Sequence, residues 1–146
     1  MRNVRRVLAP IATAGAAYFA LVFGAGFALG SIRVPFVVPR LGERISELIE
    51  MPFMLIAIVF SARFIARRFT LPAATPVRLG VGLVALSLLL SAELLLAFIL
   101  QSRSLGEYIA SRDRVSGSFY LAMLVLYAVM PFILARVQLA RDPHAA

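Results

Sequence analysis

Residues 79–100 read LGVGLVALSLLLSAELLLAFIL, a long apolar stretch that contains a single charged residue, Glu93. Because an α-helix rises about 1.5 Å per residue, about 20 such residues cross the hydrocarbon core of a bilayer, which is about 30 Å thick. The stretch therefore predicts a transmembrane helix, and this prediction decides the fold class expected for the rest of the chain.

Three other apolar stretches lead to the same prediction. We expect transmembrane helices at about residues 7–32, 46–69, 79–100 and 118–136. The predicted fold class is all-α membrane, a four-transmembrane-helix bundle that forms one domain over residues 1–146. We also expect a short interfacial segment at about residues 104–112 and a C-terminal tail at residues 141–146.

The second stretch is the least regular of the four. Between Glu50 and Arg63 its uncharged part covers only roughly 20 Å of helix, which is too short to cross a bilayer. The helix must therefore begin earlier, near Ser46, or the side chain of Arg63 must extend to the headgroups. On either interpretation this helix carries charge within the membrane.

Overall composition supports a membrane protein and excludes several kinds of site. The chain of 146 residues is 62% hydrophobic, with no cysteine and one histidine, His144. Disulfides, thiolate metal sites and a cysteine nucleophile are therefore excluded, and paired-histidine metal sites or a histidine-based triad are disfavoured. We predict no metal, no cofactor and no catalytic residue. The net charge of +8 is better explained by membrane orientation than by nucleic-acid binding.

A cleaved signal peptide is the alternative interpretation of the N-terminus. Arg2, Arg5 and Arg6 would form its basic region, and Ala14–Ala17 would imitate its cleavage site. The apolar stretch nevertheless continues to Ile32, which is longer than the apolar region of a signal peptide. We interpret it as the first transmembrane helix.

Arginine placement predicts the orientation. The ends of the chain and the connection between the second and third helices together carry a net charge of +8, and the opposite face carries 0. The arginines of the positive face are Arg2, Arg5, Arg6, Arg63, Arg67, Arg68, Arg78, Arg136 and Arg141. Since cytoplasmic segments are enriched in arginine, we expect both termini in the cytoplasm and the chain in the inner membrane of a bacterium.

A short internal repeat indicates two related helical hairpins. Leu41–Ile45 reads LGERI and Leu105–Ile109 reads LGEYI, each between an odd-numbered and an even-numbered predicted helix. The match favours two hairpins related by an axis along the membrane normal. A local interpretation stays open, because Ser104 and Glu107 have the spacing of a capping box that would start the interfacial segment.

Small residues mark one face of the first helix. Ala16, Ala20, Gly24 and Ala28 recur every four residues, and Gly26 and Gly30 form a second such pair. Small side chains allow membrane helices to approach closely. The face is interpreted either as packing within the bundle or as the contact between two copies in a homodimer.

Polar residues gather at the outer ends of the predicted helices. The predicted binding or ion-pair cluster comprises Glu93, Arg33, Glu50, Glu47 and Arg40. Glu93 lies roughly 10 Å below the surface, where an unpaired carboxylate is costly, so we predict contact with Arg33 in an environment shared with Glu50. The cluster is interpreted either as a structural ion-pair network or as a site for a proton, a cation or a lipid headgroup.

The segment PRLGERISELIEMPFML, Pro39–Leu55, resembles small uncharacterised four-helix membrane proteins of proteobacteria. The resemblance covers the first two predicted helices and implies a location in the bacterial inner membrane. It implies no activity.

Three functional hypotheses follow. The first is a non-enzymatic accessory or scaffold subunit, since the loops are short and no catalytic constellation is found. The second is a small oligomeric transporter or ion pathway that uses a membrane carboxylate. The third is a membrane-embedded enzyme that acts on lipids. The expected partners are membrane lipids and either further copies of the chain or a larger membrane complex, with no nucleic acid.

Overall fold

The structure of the protein, a computed structural model, describes residues 2–101 and 114–141. Within these ranges the chain is helical and contains no β-strand. The predicted all-α fold is therefore confirmed for this part of the chain. The interfacial segment predicted at 104–112 and the tail beyond Arg141 lie outside the described residues.

Four α-helices carry the fold of the described residues. They are α1 (Arg2–Ile32), α2 (Val38–Arg68), α3 (Thr75–Gln101) and α4 (Arg114–Arg141). A π-helical turn, Arg33–Val37, joins α1 to α2. Three helical stretches are long and apolar enough to cross a membrane, namely Leu8–Arg68, Thr75–Leu96 and Gly117–Arg141.

The break between the two antiparallel arms of the first helical pair lies at Gly42. Helical backbone continues from α1 through Arg33–Val37 into the first residues of α2, and it is interrupted at Gly42, which has φ 78° and ψ 164°. That conformation is essentially restricted to glycine. The chain reverses at this break, since Arg33 before it lies against Glu47 after it. The part of α2 that runs back from the break therefore begins close to Ser46, where the second helix was predicted to start.

The helices form two antiparallel pairs, α1 with α2 and α3 with α4. In each pair, contacts at two levels establish the direction. These contacts are Gly26 with Met54 and Arg33 with Glu47 in the first pair, and Gly82 with Ala128 and Glu93 with Tyr120 in the second.

The order of the helices around the bundle does not fit the predicted symmetric repeat. α1 packs against α2 and α3, and α4 packs against the same two helices. α1 and α3 run parallel, since Ile11 lies against Gly80 and Gly15 lies against Val84. An axis of two-fold symmetry along the bundle would place α1 and α3 on opposite sides, whereas they are neighbours. The predicted pair of hairpins related by such an axis is therefore wrong.

Buried side chains concentrate at the end of the bundle where α2 leads into α3, which we call the closed end. The core consists mainly of Ile11, Ala14, Tyr18, Val22, Ile58, Ala62, Ile65, Leu71, Val81, Ala85, Tyr127 and Met130. Arg78 is only 3% exposed, and it donates hydrogen bonds to the carbonyl oxygens of Leu71 (2.8 Å) and Pro72 (3.0 Å). Arg78, which was predicted to help set the membrane orientation, therefore also stabilises the connection between α2 and α3.

Two glycines set the closest helix approaches in this core. A Cβ added at Gly82 would overlap the carbonyl group of Ala128, and one added at Gly15 would lie 2.7 Å from Cγ1 of Val84. At these two positions α3 therefore meets α4 and α1 at distances that leave no room for a larger residue.

The small-residue face of α1 lies elsewhere. All four members of its main stripe are exposed, namely Ala16, Ala20, Gly24 and Ala28. The interpretation that this stripe packs within the bundle is therefore wrong. The buried face of α1 instead carries Tyr18 and Val22, whose larger side chains fill the space between the helices.

The two glycines of the second small-residue pair, Gly26 and Gly30, have different surroundings. Gly26 lies against α2, since a Cβ added there would be 3.5 Å from Cε of Met54. A Cβ added at Gly30 would meet nothing within 4 Å. Only Gly26 therefore takes part in packing between helices of the bundle.

Candidate functional site: a cavity at the turn end

A cavity of about 330 Å³ lies between all four helices. It is located toward the end of the bundle that carries the π-helical segment Arg33–Val37 and the break at Gly42, which we call the turn end. Whereas the closed end is filled by the core, the helices near the turn leave this space open. The volume falls within the range of small-molecule sites, about 300–1,000 Å³.

An ion-pair group lines the cavity on the side of the turn. Nε of Arg33 lies 2.6 Å from Oε2 of Glu50, and Nη1 of Arg33 lies 3.7 Å from Oε1 of Glu47. The three side chains are 18–27% exposed, so the group is partly shielded from solvent. The contact with Glu50 is close but not a directional hydrogen bond, since neither Nε nor Oε2 has a hydrogen-bond partner among the described residues.

The break at Gly42 explains how this group forms. Arg33 is the first residue of the π-helical segment before the break, and Glu47 and Glu50 share a face of α2 after it because they are three residues apart. As the chain reverses at Gly42, that face comes to lie against the arginine. A π-helical segment is rare and occurs frequently at functional sites.

Glu93 lines the same cavity from α3. The hydroxyl group of Tyr120 on α4 donates a short hydrogen bond to Oε2 of Glu93. A carboxylate in an apolar helix is therefore supplied with a donor from the neighbouring helix, which reduces the cost of burying it.

The structure brings together four of the five residues predicted as a cluster. Arg33, Glu47, Glu50 and Glu93 all line the cavity. Arg40 does not line it and is exposed, and it lies two residues before the break at Gly42. We therefore exclude Arg40 from the site.

The sequence pattern did not indicate Tyr120 as the hydrogen-bond partner of Glu93. Arg33 was the predicted partner of this carboxylate, and Tyr120 was assigned to no site. The signal was available, because Glu93 lies near the end of α3 and Tyr120 lies near the start of the antiparallel α4. Residues so placed face each other at the same level.

The remainder of the cavity wall is largely apolar. Methionines contribute from two helices, Met51 and Met54 from α2 and Met123 from α4. Methionine side chains are flexible and polarizable, so they adapt to differently shaped occupants.

Tyr127 lies at the boundary between the cavity and the core. It lines the cavity but is only 1% exposed, and its hydroxyl oxygen is buried without a hydrogen-bond partner among the described residues.

The cavity is thus amphipathic, with charged groups toward the turn and apolar side chains deeper in the bundle. Its charged side chains among the described residues are three carboxylates and one guanidinium, a formal charge of −2. Among the described residues, no group of three acidic, histidine or cysteine side chains is arranged to hold a metal ion. The arrangement suits an organic molecule that is charged at one end.

Comparisons of the chain with protein families, with curated proteins and with solved structures find no match.

Proposed function

We propose that this chain is a small transporter of the bacterial inner membrane that binds a membrane-soluble molecule in the cavity and carries it across the bilayer. The observation that carries the proposal is the cavity between four helices with Glu93, Glu47 and Glu50 on its wall. The helices are packed at the closed end and separated at the turn end. Such a bundle is accessible from one side, which is one of the two states that alternating access requires.

The proposed topology has four membrane crossings. The stretch Leu8–Arg68 is a single helical stretch by its apolar character, but it folds back on itself at Gly42. It therefore supplies two crossings, and α3 and α4 supply the others. Arginine is in excess at the closed end and at the two chain ends. This excess favours a cytoplasmic location for both termini.

Flux in proteoliposomes tests the transport function. The purified protein is reconstituted, and uptake of octyltrimethylammonium is measured with the interior held negative. Because Glu93 is the carboxylate on α3 in the cavity, Glu93→Gln should reduce uptake at least about tenfold while keeping a hydrogen-bond acceptor for Tyr120. Glu43→Gln is the matched control, since Glu43 is exposed and does not line the cavity. Equal flux through all three proteins would contradict the proposal.

A second candidate function is an accessory subunit of a membrane complex. It is favoured by the exposed stripe of Ala16, Ala20, Gly24 and Ala28, a pattern that membrane helices use for close contact with one another. Gly24→Leu would then release a partner from the gently extracted complex and leave cavity binding unchanged. Copurification of the same proteins with wild type and Gly24→Leu would count against this candidate.

A further inference from the structure

We infer that the occupant of the cavity is an organic monocation with an apolar body, whose charge lies among Glu47, Glu50 and Glu93. This inference rests on the proposed function, because it names the substrate class of the same cavity.

The charge balance favours a cation. Arg33 is already engaged by Glu50 and Glu47, so the group is negative before Glu93 is counted. Among the described lining residues, an anion would meet three carboxylates, and the guanidinium group of Arg33 is already paired. A single positive charge reduces the formal charge of the four side chains from −2 to −1.

The lining favours an organic cation over a metal ion. Phe23, Phe27 and Tyr120 line the cavity, and aromatic faces attract alkylammonium groups strongly where water is excluded. The wall also carries three methionines, which are poor ligands for hard metal ions but good contacts for an alkyl chain.

Size limits the apolar body. A volume of about 330 Å³ lies at the small end of the range of small-molecule sites, about 300–1,000 Å³. It therefore favours a small amphiphile, such as an octyl chain with a trimethylammonium group.

Equilibrium binding to the full chain in lipid nanodiscs tests the inference. Octyltrimethylammonium and octanesulfonate have matched sizes and fixed, opposite charges, and empty nanodiscs correct for partition into lipid. We expect the cation to bind at least about tenfold more tightly than the anion. Equal or tighter binding of octanesulfonate would overturn the inference, and this comparison needs no variant.

Two variants locate the binding site. Glu93→Gln should weaken octyltrimethylammonium about tenfold without changing the octanesulfonate affinity, whereas Glu43→Gln should change neither. Gly26→Leu should weaken binding by filling the cavity, and Gly30→Leu is its control because its Cβ meets nothing. Unchanged binding of the cation in both Glu93→Gln and Gly26→Leu would place the ligand elsewhere and overturn the inference.

Measurements of binding and of flux with the same two ions separate this inference from the proposed transport function. Binding of octyltrimethylammonium without flux would contradict the transport function and support the ligand class. Flux of octanesulfonate alone would support the transport function and contradict the ligand class.

Discussion

The hydroxyl group of Tyr18 on α1 donates a hydrogen bond of 3.0 Å to the backbone carbonyl oxygen of Tyr127 on α4. In a regular helix that carbonyl group would accept from the residue four positions later, but this residue is Pro131, which has no N–H group. Tyr18 therefore supplies the donor that the proline removes. The two rings also lie 4.7 Å apart, centroid to centroid, across the middle of the bundle.

Removing the Tyr18 hydroxyl group should destabilise the protein. Tyr18→Phe keeps the ring contact but leaves a buried carbonyl group without its donor, at a cost of about 1–3 kcal/mol. In that background Pro131→Ala restores an N–H group within α4 and should recover part of the loss. Thermal unfolding of the two single variants and the double variant in detergent measures the coupling. Tyr127→Phe is the control, since it removes only a hydroxyl group that has no partner among the described residues, and strictly additive effects would show that Tyr18 does not replace the proline's missing donor.

Glycine substitutions should separate packed from open positions. Gly82→Ala places a methyl group on the carbonyl group of Ala128, so we expect a loss of about 1–3 kcal/mol and a lower melting temperature. Gly24→Ala meets nothing and should be neutral or slightly stabilising, because alanine is the better helix former by about 1 kcal/mol. Equal melting temperatures for the two variants would contradict the close approach of α3 and α4.

The Arg33–Glu50 contact should appear as an energetic coupling. A double-mutant cycle with Arg33→Ala and Glu50→Ala should give an interaction of about 0.5–3 kcal/mol, since the two side chains are close and partly shielded. Arg40→Ala paired with Glu50→Ala should give additive losses, because Arg40 is exposed and outside the cavity. A coupling as large for Arg40 as for Arg33 would contradict the placement of the turn.

Cysteine labelling should report the topology. The chain has no cysteine, so single substitutions can be introduced without removing any native one. In right-side-out vesicles, a membrane-impermeant thiol reagent should label Glu43→Cys at the turn end and should not label Arg68→Cys at the closed end. Labelling of Arg68→Cys alone would reverse the proposed orientation and place the cavity toward the cytoplasm.

Local sequence was sufficient to predict the helical class and most of the polar lining of the cavity. Long apolar stretches with few charges form helices, because every backbone N–H and C=O group must then find its hydrogen-bond partner within the segment. Arg33, Glu50 and Glu93 stood out for the same reason, since each charge in an apolar context requires a partner or a polar space. These features depend on the composition of a segment and on spacing along one helix.

Tertiary structure alone decided which faces of the helices meet. Lipid is as apolar as leucine, so hydrophobicity does not distinguish a face that packs from one that remains exposed. The sequence therefore indicated the stripe of Ala16 and Gly24 as a packing face, whereas the structure buries Tyr18 and Val22. The pairing of Glu93 with Tyr120, the neighbouring positions of α1 and α3 and the cavity itself all depend on how each helix is rotated and placed. Those quantities arise from contacts between distant parts of the chain and leave no periodic signal in any one segment.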